Sequence, residues 1–106
     1  MINKKHDLIE PIKPSEIKKI IPEFIIKGAN ECIQDHYHEL KRSSKFTQDE
    51  LIEYVLKYAP EEVTRATIFD NNWLDIEPTY RKAGWKVIYD GQAYCENYPA
   101  TFTFYI

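Results

Sequence analysis

The chain is poor in the residues that build several common kinds of site. Its 106 residues include only three glycines, two cysteines and one methionine. The glycines are isolated at Gly28, Gly84 and Gly91, so the sequence holds no glycine-rich phosphate-binding loop. Cys32 and Cys95 are too far apart in the sequence, and too few, to predict a disulfide framework or a zinc motif. These absences exclude a disulfide-stapled scaffold and the usual nucleotide-binding loops.

Long apolar runs are missing as well. The longest, such as Phe24-Ile25-Ile26, fall far short of the roughly 20 residues that cross a bilayer, and no secretion signal is evident. We therefore expect a cytoplasmic protein with no membrane association. A length of 106 residues predicts a single domain, and 43% hydrophobic residues favour a folded core over disorder.

The first part of the chain is predicted to be an arm. Pro11 and Pro14 disfavour helix on their N-terminal sides, so residues 1–14 are interpreted as an extended N-terminal arm. Residues 15–106 then form the single domain. Its first helix is predicted from Pro22 to about Arg42, because apolar side chains recur there at three- and four-residue steps: Ile25, Ala29, Cys32, Ile33 and Leu40.

Lys45-Phe46 predicts a short extended segment, and a second helix follows it. The residues Thr47 and Glu50 form a capping-box pattern, which predicts that this helix spans residues 48–58. Pro60 closes it. A third, short helix is predicted from Glu61 to about Phe69, since acidic residues favour a helix start.

The last third of the chain predicts a short helix and two strands. Asp75 is expected to cap a fourth helical segment over residues 76–83, and Gly84 suits a left-handed helix end. Alternating side chains in residues 85–90 and 100–106 predict an antiparallel pair of strands. We expect the core side of the last strand to hold Phe102, Phe104 and Ile106.

This order of elements resembles a winged-helix domain over residues 22–106. The resemblance is carried by Phe46-Thr47-Gln48-Asp49-Glu50-Leu51, at the start of the second helix, and by Tyr80-Arg81-Lys82-Ala83-Gly84-Trp85-Lys86-Val87, where a recognition helix would lead into the first wing strand. Two short helical pieces replace the one recognition helix of that fold. The predicted class is α+β: a winged-helix-like small domain, with N-terminal helices followed by a C-terminal antiparallel β-hairpin.

A second resemblance is local. The segment Trp73-Leu74-Asp75-Ile76-Glu77, together with Tyr80 to Asp90 and the closing Thr101-Phe102-Thr103-Phe104, resembles small uncharacterised proteins encoded by bacteriophages and prophages. Those families carry no established activity. The resemblance therefore implies a phage or prophage gene, and with it a location in the cytoplasm of a bacterial cell. It transfers no catalytic residue.

Nucleic-acid binding is the function that a winged helix most often carries, through a helix in the major groove and a wing on the backbone. The residues available for DNA or RNA are Arg65, Thr79, Arg81, Lys82 and Lys86. Affinity for DNA depends mainly on phosphate neutralisation, yet residues 43–106 hold six Lys and Arg against ten Asp and Glu. The charge balance makes this the alternative rather than the leading hypothesis.

The aromatic residues favour a protein partner. Ten of the 15 aromatic residues lie in the last 38 positions, more than one small core face can bury. Exposed Tyr and Trp are typical of protein interfaces, although the same rings beside lysines would stack single-stranded bases. Residues 92–99 have the length and polarity of a binding loop. The predicted partner contacts are Trp73, Tyr80, Tyr94, Tyr98 and Tyr105.

No constellation in the sequence predicts catalysis. Cys32 and His36 have a spacing that would suit a metal pair, but Cys32 belongs to the apolar stripe, and His38 falls on another face. Cys95 has no histidine after it to activate its thiol. We expect no metal and no cofactor. The prediction is a non-enzymatic accessory or regulatory protein that binds a host or phage protein, or a second copy of itself.

Overall fold

The computed structural model describes residues 21–91 and 99–106, which form four helices and one four-stranded antiparallel sheet. The helices are α1 (Glu23–Asp35), α2 (Gln48–Tyr58), α3 (Arg65–Asp70) and α4 (Glu77–Lys82). The strands are β1 (Tyr37–His38), β2 (Ser43–Thr47), β3 (Lys86–Asp90) and β4 (Thr101–Tyr105). The predicted α+β class is confirmed. The predicted arm, residues 1–14, lies outside the described residues.

Helix α2 begins at the predicted capping box. The Glu50 amide donates to the Thr47 hydroxyl at 3.1 Å, and the Thr47 amide donates to Glu50 Oε1 at 2.8 Å. This pair satisfies two N–H groups that a helix start leaves without intrahelical partners. The helix then runs to Tyr58, as predicted, and buries Leu51 and Val55.

Helices α1 and α2 approach each other most closely at Gly28. A Cβ atom placed on Gly28 would lie 2.5 Å from the Cα of Val55 and 2.9 Å from the carbonyl carbon of Tyr54. Only a hydrogen atom fits between the two backbones at this point. The close approach buries Ile25 and Leu51 completely, so the two helices form one face of the core.

Helix α1 ends at Asp35, well before the predicted end at Arg42. The chain turns there into a hairpin in which Tyr37 pairs with Ser44, and Arg42 adopts a positive φ of 52°. Leu40, expected on the buried stripe, is 91% exposed at the tip of this hairpin. The helical spacing of apolar residues therefore continues beyond the helix itself.

Two side chains contact carbonyl oxygens in the last turn of α1. The buried Ser44 hydroxyl donates to the Ile33 carbonyl at 2.7 Å, and His36 Nδ1 lies 2.9 Å from the Cys32 carbonyl oxygen. Carbonyls in the last turn of a helix need partners from outside the helix. Ser44, on a strand, supplies such a partner to Ile33, whereas the Cys32 carbonyl already accepts from the His36 amide at 3.1 Å. The Ser44 contact is not visible in the local pattern.

The third helix begins later than predicted. Thr64 is its N-cap and forms a reciprocal capping pair with Thr67, so α3 starts at Arg65 rather than at Glu61. Glu61 lies in the turn that precedes it. Hydroxyl capping by a threonine thus overrides the weaker preference of acidic residues for a helix start.

Helix α4 also differs from the prediction at its start. It begins at Glu77, and Ile76 occupies the N-cap position with no side-chain cap, so the capping role predicted for Asp75 is wrong. Its end agrees with the sequence. Gly84 follows the helix with a φ of +108°, the conformation that favours glycine.

The sheet has the strand order β1-β2-β4-β3, and the predicted antiparallel C-terminal pair is confirmed. Val87 pairs with Phe104, and Tyr89 pairs with Phe102. The rings of Phe46, Phe102 and Phe104 stack on the inner face, with centroids 5.6–6.3 Å apart. This stack forms the layer on which the helices pack.

Ile106 is not a core residue, contrary to the prediction. Strand β4 ends at Tyr105, and the Ile106 side chain is 56% exposed. Its amide donates to the Arg42 carbonyl at 3.3 Å, beside the β1–β2 hairpin. The strand therefore delivers only Phe102 and Phe104 to the core.

The α1–α2 contact predicts a specific sensitivity. We expect Gly28→Ala to lower the free energy of unfolding by about 1–3 kcal/mol, because the new methyl group overlaps the Val55 backbone. Gly91→Ala is the matched control, since its Cβ would meet only the Tyr89 ring at 3.3 Å. Urea denaturation of both variants measures the difference, and equal losses would contradict the account.

The capping box predicts a pH effect. The Thr47 amide is the main cause that lowers the pKa of Glu50, so the charge of Glu50 stabilises the fold fully above the unfolded-chain pKa. This contribution is lost as the pH falls through the lowered value. We expect Glu50→Gln to cost about 0.3–1 kcal/mol near neutral pH and less in acid. Denaturation of wild type, Glu50→Gln and the control Glu53→Gln tests this, and a pH-independent cost of Glu50→Gln would contradict it.

Candidate functional site

Tyr80, a predicted partner contact, is a core residue. Only 5% of it is exposed, and its ring packs edge-on against Phe104 at 5.3 Å. Its hydroxyl donates to Asn30 Oδ1 at 2.6 Å, which joins α4 to α1, and burial raises the pKa of Tyr80 to about 12. Tyr80 is therefore mainly a core residue, and its role as a partner contact stays a prediction.

The other predicted partner residues lie in different places. Trp73 is half-buried and packs edge-on against Phe24 at 5.6 Å. Tyr105 is half-buried on the outer face of the sheet, away from the helices. Tyr94 and Tyr98 lie outside the described residues. The predicted set is thus not brought together at one point of the described structure.

An aromatic groove opens at the end of the sheet where β3 begins and β4 ends. The half-buried Trp85 meets Tyr37 edge-on at 6.4 Å and Phe104 edge-on at 6.2 Å. The cavity beside it has a volume of about 390 Å³. We call it the Trp85 groove; its lining residues are Asn30, Ile33, Gln34, Tyr37, Tyr80, Trp85 and Ile106.

The side chains that line the Trp85 groove are apolar or carry uncharged polar groups. None of its described lining side chains is ionic at neutral pH, and the lining consists mainly of aromatic rings and isoleucines. Asn30 and Gln34 supply amides one helical turn apart along its α1 side. Each amide can both donate and accept a hydrogen bond, as a peptide group does. The lining therefore suits an apolar chain segment that carries its own backbone amides.

A second cavity opens at the opposite end of the β3–β4 pair. It has a volume of about 290 Å³, and the buried side chains of Ile68, Leu74 and Phe102 form its floor. Phe69 and Tyr89, which are 41% and 43% exposed, also line it. We call this cavity the Tyr89 pocket.

The mouth of the Tyr89 pocket is polar and acidic. The remaining lining residues are Gln48, Asn72, Asp75 and Glu77. The Tyr89 ring packs at a tilt of 51° against Phe102 with centroids 4.9 Å apart, and its hydroxyl donates to Gln48 Oε1 at 3.2 Å. Carboxylates and aromatic rings thus surround an apolar floor, and no described cationic side chain lines this pocket.

Two of the arginine and lysine side chains predicted for nucleic acid are engaged within the fold. Arg65 pairs with Asp49 at 2.7 Å and lies over the Phe69 ring at 5.2 Å. Arg81 Nη2 donates to the Val87 carbonyl at 2.9 Å, at the edge strand β3. This bond also occupies an acceptor that an added strand would use.

The remaining predicted nucleic-acid residues do not share a face. Lys86 lies over the Tyr105 ring at 5.9 Å on the outer side of the sheet. Thr79 and Lys82 are exposed on α4, which packs on the inner side. The described structure therefore shows no continuous basic surface made of the five predicted residues.

Cys32, the residue considered for a metal pair with His36, is buried. Cys32 Sγ lies 3.8 Å from His36 Nδ1, but the thiol is fully buried, and burial raises its pKa to about 12. The described residues contain no group of three or more His, Cys, Asp or Glu side chains placed to hold a metal ion. Cys95 lies outside the described residues.

Two residues that sequence reasoning did not single out dominate the cavities. Trp85 and Tyr89 belong to the alternating segment that predicts a strand over residues 85–90, and neither is among the predicted partner contacts. Both stand at ends of β3, where the covering layer stops. Their positions near the two ends of the predicted strand are the signal that the sequence offers.

Comparison with known proteins finds no matching family model, no similar curated protein and no similar solved structure. Among the described helices, none has the length and apolar character needed to cross a membrane. The Trp85 groove and the Tyr89 pocket are the features of the described structure that suit a binding function.

Proposed function

We propose that this protein is a non-enzymatic accessory or regulatory protein, of the kind that phages and prophages encode, which binds a protein partner through its aromatic C-terminal region. The observation that carries the proposal is the uncharged Trp85 groove of about 390 Å³. Concave apolar sites with a few oriented polar groups are typical binding sites, and Trp and Tyr are enriched among interface residues that dominate affinity.

The occupant that fits the groove is a short, extended, apolar segment of the partner. The rings of Trp85 and Tyr37 and the half-exposed Ile106 offer apolar surface to its side chains. The Asn30 oxygen already accepts from the Tyr80 hydroxyl, so the Asn30 NH₂ group and the Gln34 amide are the groups beside this surface that match a peptide backbone. A charged segment would lose hydration without gaining an ionic partner from the lining.

The winged-helix-like interpretation fits this use of the fold. The chain runs through α1, β2, α2, the two short helices and the β3–β4 pair, and it adds the two-residue strand β1 at one sheet edge. Helix α4, in the place of a recognition helix, has only six residues, and its Arg81 bonds to Val87. These features support protein binding over insertion of this helix into a DNA groove.

A pair of charge substitutions tests the groove. Ile106→Asp places a carboxylate at the uncharged lining, while Ile88→Asp makes the same change at a similarly exposed position (50% against 56%) on the outer sheet face. The probe is a displayed library of random peptides of about 12 residues, panned on wild type. We expect apolar peptides whose binding Ile106→Asp weakens at least about tenfold and Ile88→Asp leaves unchanged.

The two tryptophans make the readout local. The chain contains only Trp73 and Trp85, so a ¹⁵N-correlated NMR spectrum should resolve two indole N–H signals. A selected peptide should shift the Trp85 signal and leave the Trp73 signal in place. Failure to enrich any peptide, or equal effects of the two aspartate variants, would contradict the proposal.

The alternative, DNA or RNA binding, has its own expected outcome. Fluorescence polarisation with duplex and single-stranded oligonucleotides at low salt should show no binding. Submicromolar affinity that falls steeply with salt, and that Lys82→Ala abolishes, would establish nucleic-acid binding instead.

A further inference from the structure

The Tyr89 pocket has a chemistry that the Trp85 groove lacks. Its floor of Ile68, Leu74 and Phe102 is buried and apolar, so it accepts a hydrocarbon chain. Its exposed part combines two aromatic rings with two carboxylates. A side chain with an apolar stem and a positively charged end complements both parts of the pocket. The stem would contact the apolar floor, and the charge would lie in the exposed part.

The charged side chains that line the Tyr89 pocket are acidic. Asp75 and Glu77 both line it, whereas the described lining contains no lysine or arginine. A cation at the mouth would gain from the charge of Glu77, and Gln48 and Asn72 add polar side chains beside it. A neutral or anionic group would gain no ionic partner or would be repelled, so charge complementarity identifies the occupant as cationic.

The aromatic rings favour a planar cation. Tyr89 lines the pocket and is 43% exposed, and aromatic faces attract guanidinium groups more often than ammonium groups. The same fold shows this chemistry once already, because Arg65 lies over the Phe69 ring and pairs with Asp49. Arg65 itself is not part of the pocket lining.

We propose that the Tyr89 pocket binds an arginine side chain of the partner protein. The methylene stem lies on Ile68, Leu74 and Phe102, and the guanidinium lies at the rings and donates to the carboxylate of Glu77. The inference rests on the proposed function for its source of arginine. The proposal predicts that the partner carries an arginine in addition to the apolar segment that the Trp85 groove binds.

Small probes test the pocket separately from the groove. N-acetyl-arginine amide, N-acetyl-lysine amide and N-acetyl-norleucine amide share a neutral backbone and differ in the side-chain head. Titration of the full chain to about 20 mM, followed through the Ile68 and Leu74 methyl signals in a ¹³C-correlated NMR spectrum, should give millimolar binding of the arginine probe. Norleucine should bind at least about tenfold more weakly. Equal affinity for lysine would overturn the choice of arginine.

Matched variants separate charge from ring. Glu77→Gln and Tyr89→Leu should each weaken the arginine probe about five- to tenfold, while Tyr89→Phe, which keeps the ring, should not. Glu53→Gln and Tyr58→Leu are the controls, since Tyr58 is 44% exposed on α2 and neither residue lines the pocket. If Tyr89→Leu fails to fold, Glu77→Gln decides. An unchanged affinity in Glu77→Gln would overturn the proposal.

The result is distinguishable from a failure of the groove. Binding of the arginine probe without any enriched apolar peptide would support the pocket and contradict the groove. Enriched peptides that shift Trp85, together with no arginine binding up to about 20 mM, would overturn the pocket alone.

Discussion

The placement of both cavities depends on two phenylalanines of the central strand β4. Phe102 and Phe104 lie two residues apart, so they point to the same inner face, where their rings stack with each other and with Phe46. Phe102 forms part of the floor of the Tyr89 pocket, and Phe104 stands behind Trp85. The stack therefore fixes the hydrophobic layer and, at its two ends, the surfaces that are left uncovered.

The parts of the fold that follow from local rules were predictable. Helix α2 carries its start signal in Thr47 and Glu50, and its limits agree with the sequence interpretation. The end of α1 depends instead on Ser44, which reaches the Ile33 carbonyl from a strand. A helical pattern that continued to Leu40 gave no sign of this contact, because the competing interaction is sheet pairing between residues that are not neighbours on a helix.

The candidate site was predictable as a region but not as a set of residues. The surplus of aromatic residues indicated that some rings are exposed, yet it could not show which ones. Tyr80 is buried, and its hydroxyl donates to Asn30 on another helix. Trp85 and Tyr89 lie near the two ends of β3, and each lines a cavity. The positions of the charged side chains were likewise not predictable from the sequence. The acidic excess was visible in the sequence, and the structure places Glu77 at a pocket while Arg65 is paired with Asp49.

The central claim is that one phenylalanine stack supports both cavities. Nuclear Overhauser contacts between aromatic ring protons test it most directly, in a ¹³C-edited spectrum of the intact chain. The account predicts contacts of the Phe104 ring with the Trp85 indole and of the Phe102 ring with the Tyr89 ring, since their centroids lie 6.2 Å and 4.9 Å apart. A folded protein that lacks either contact would contradict it.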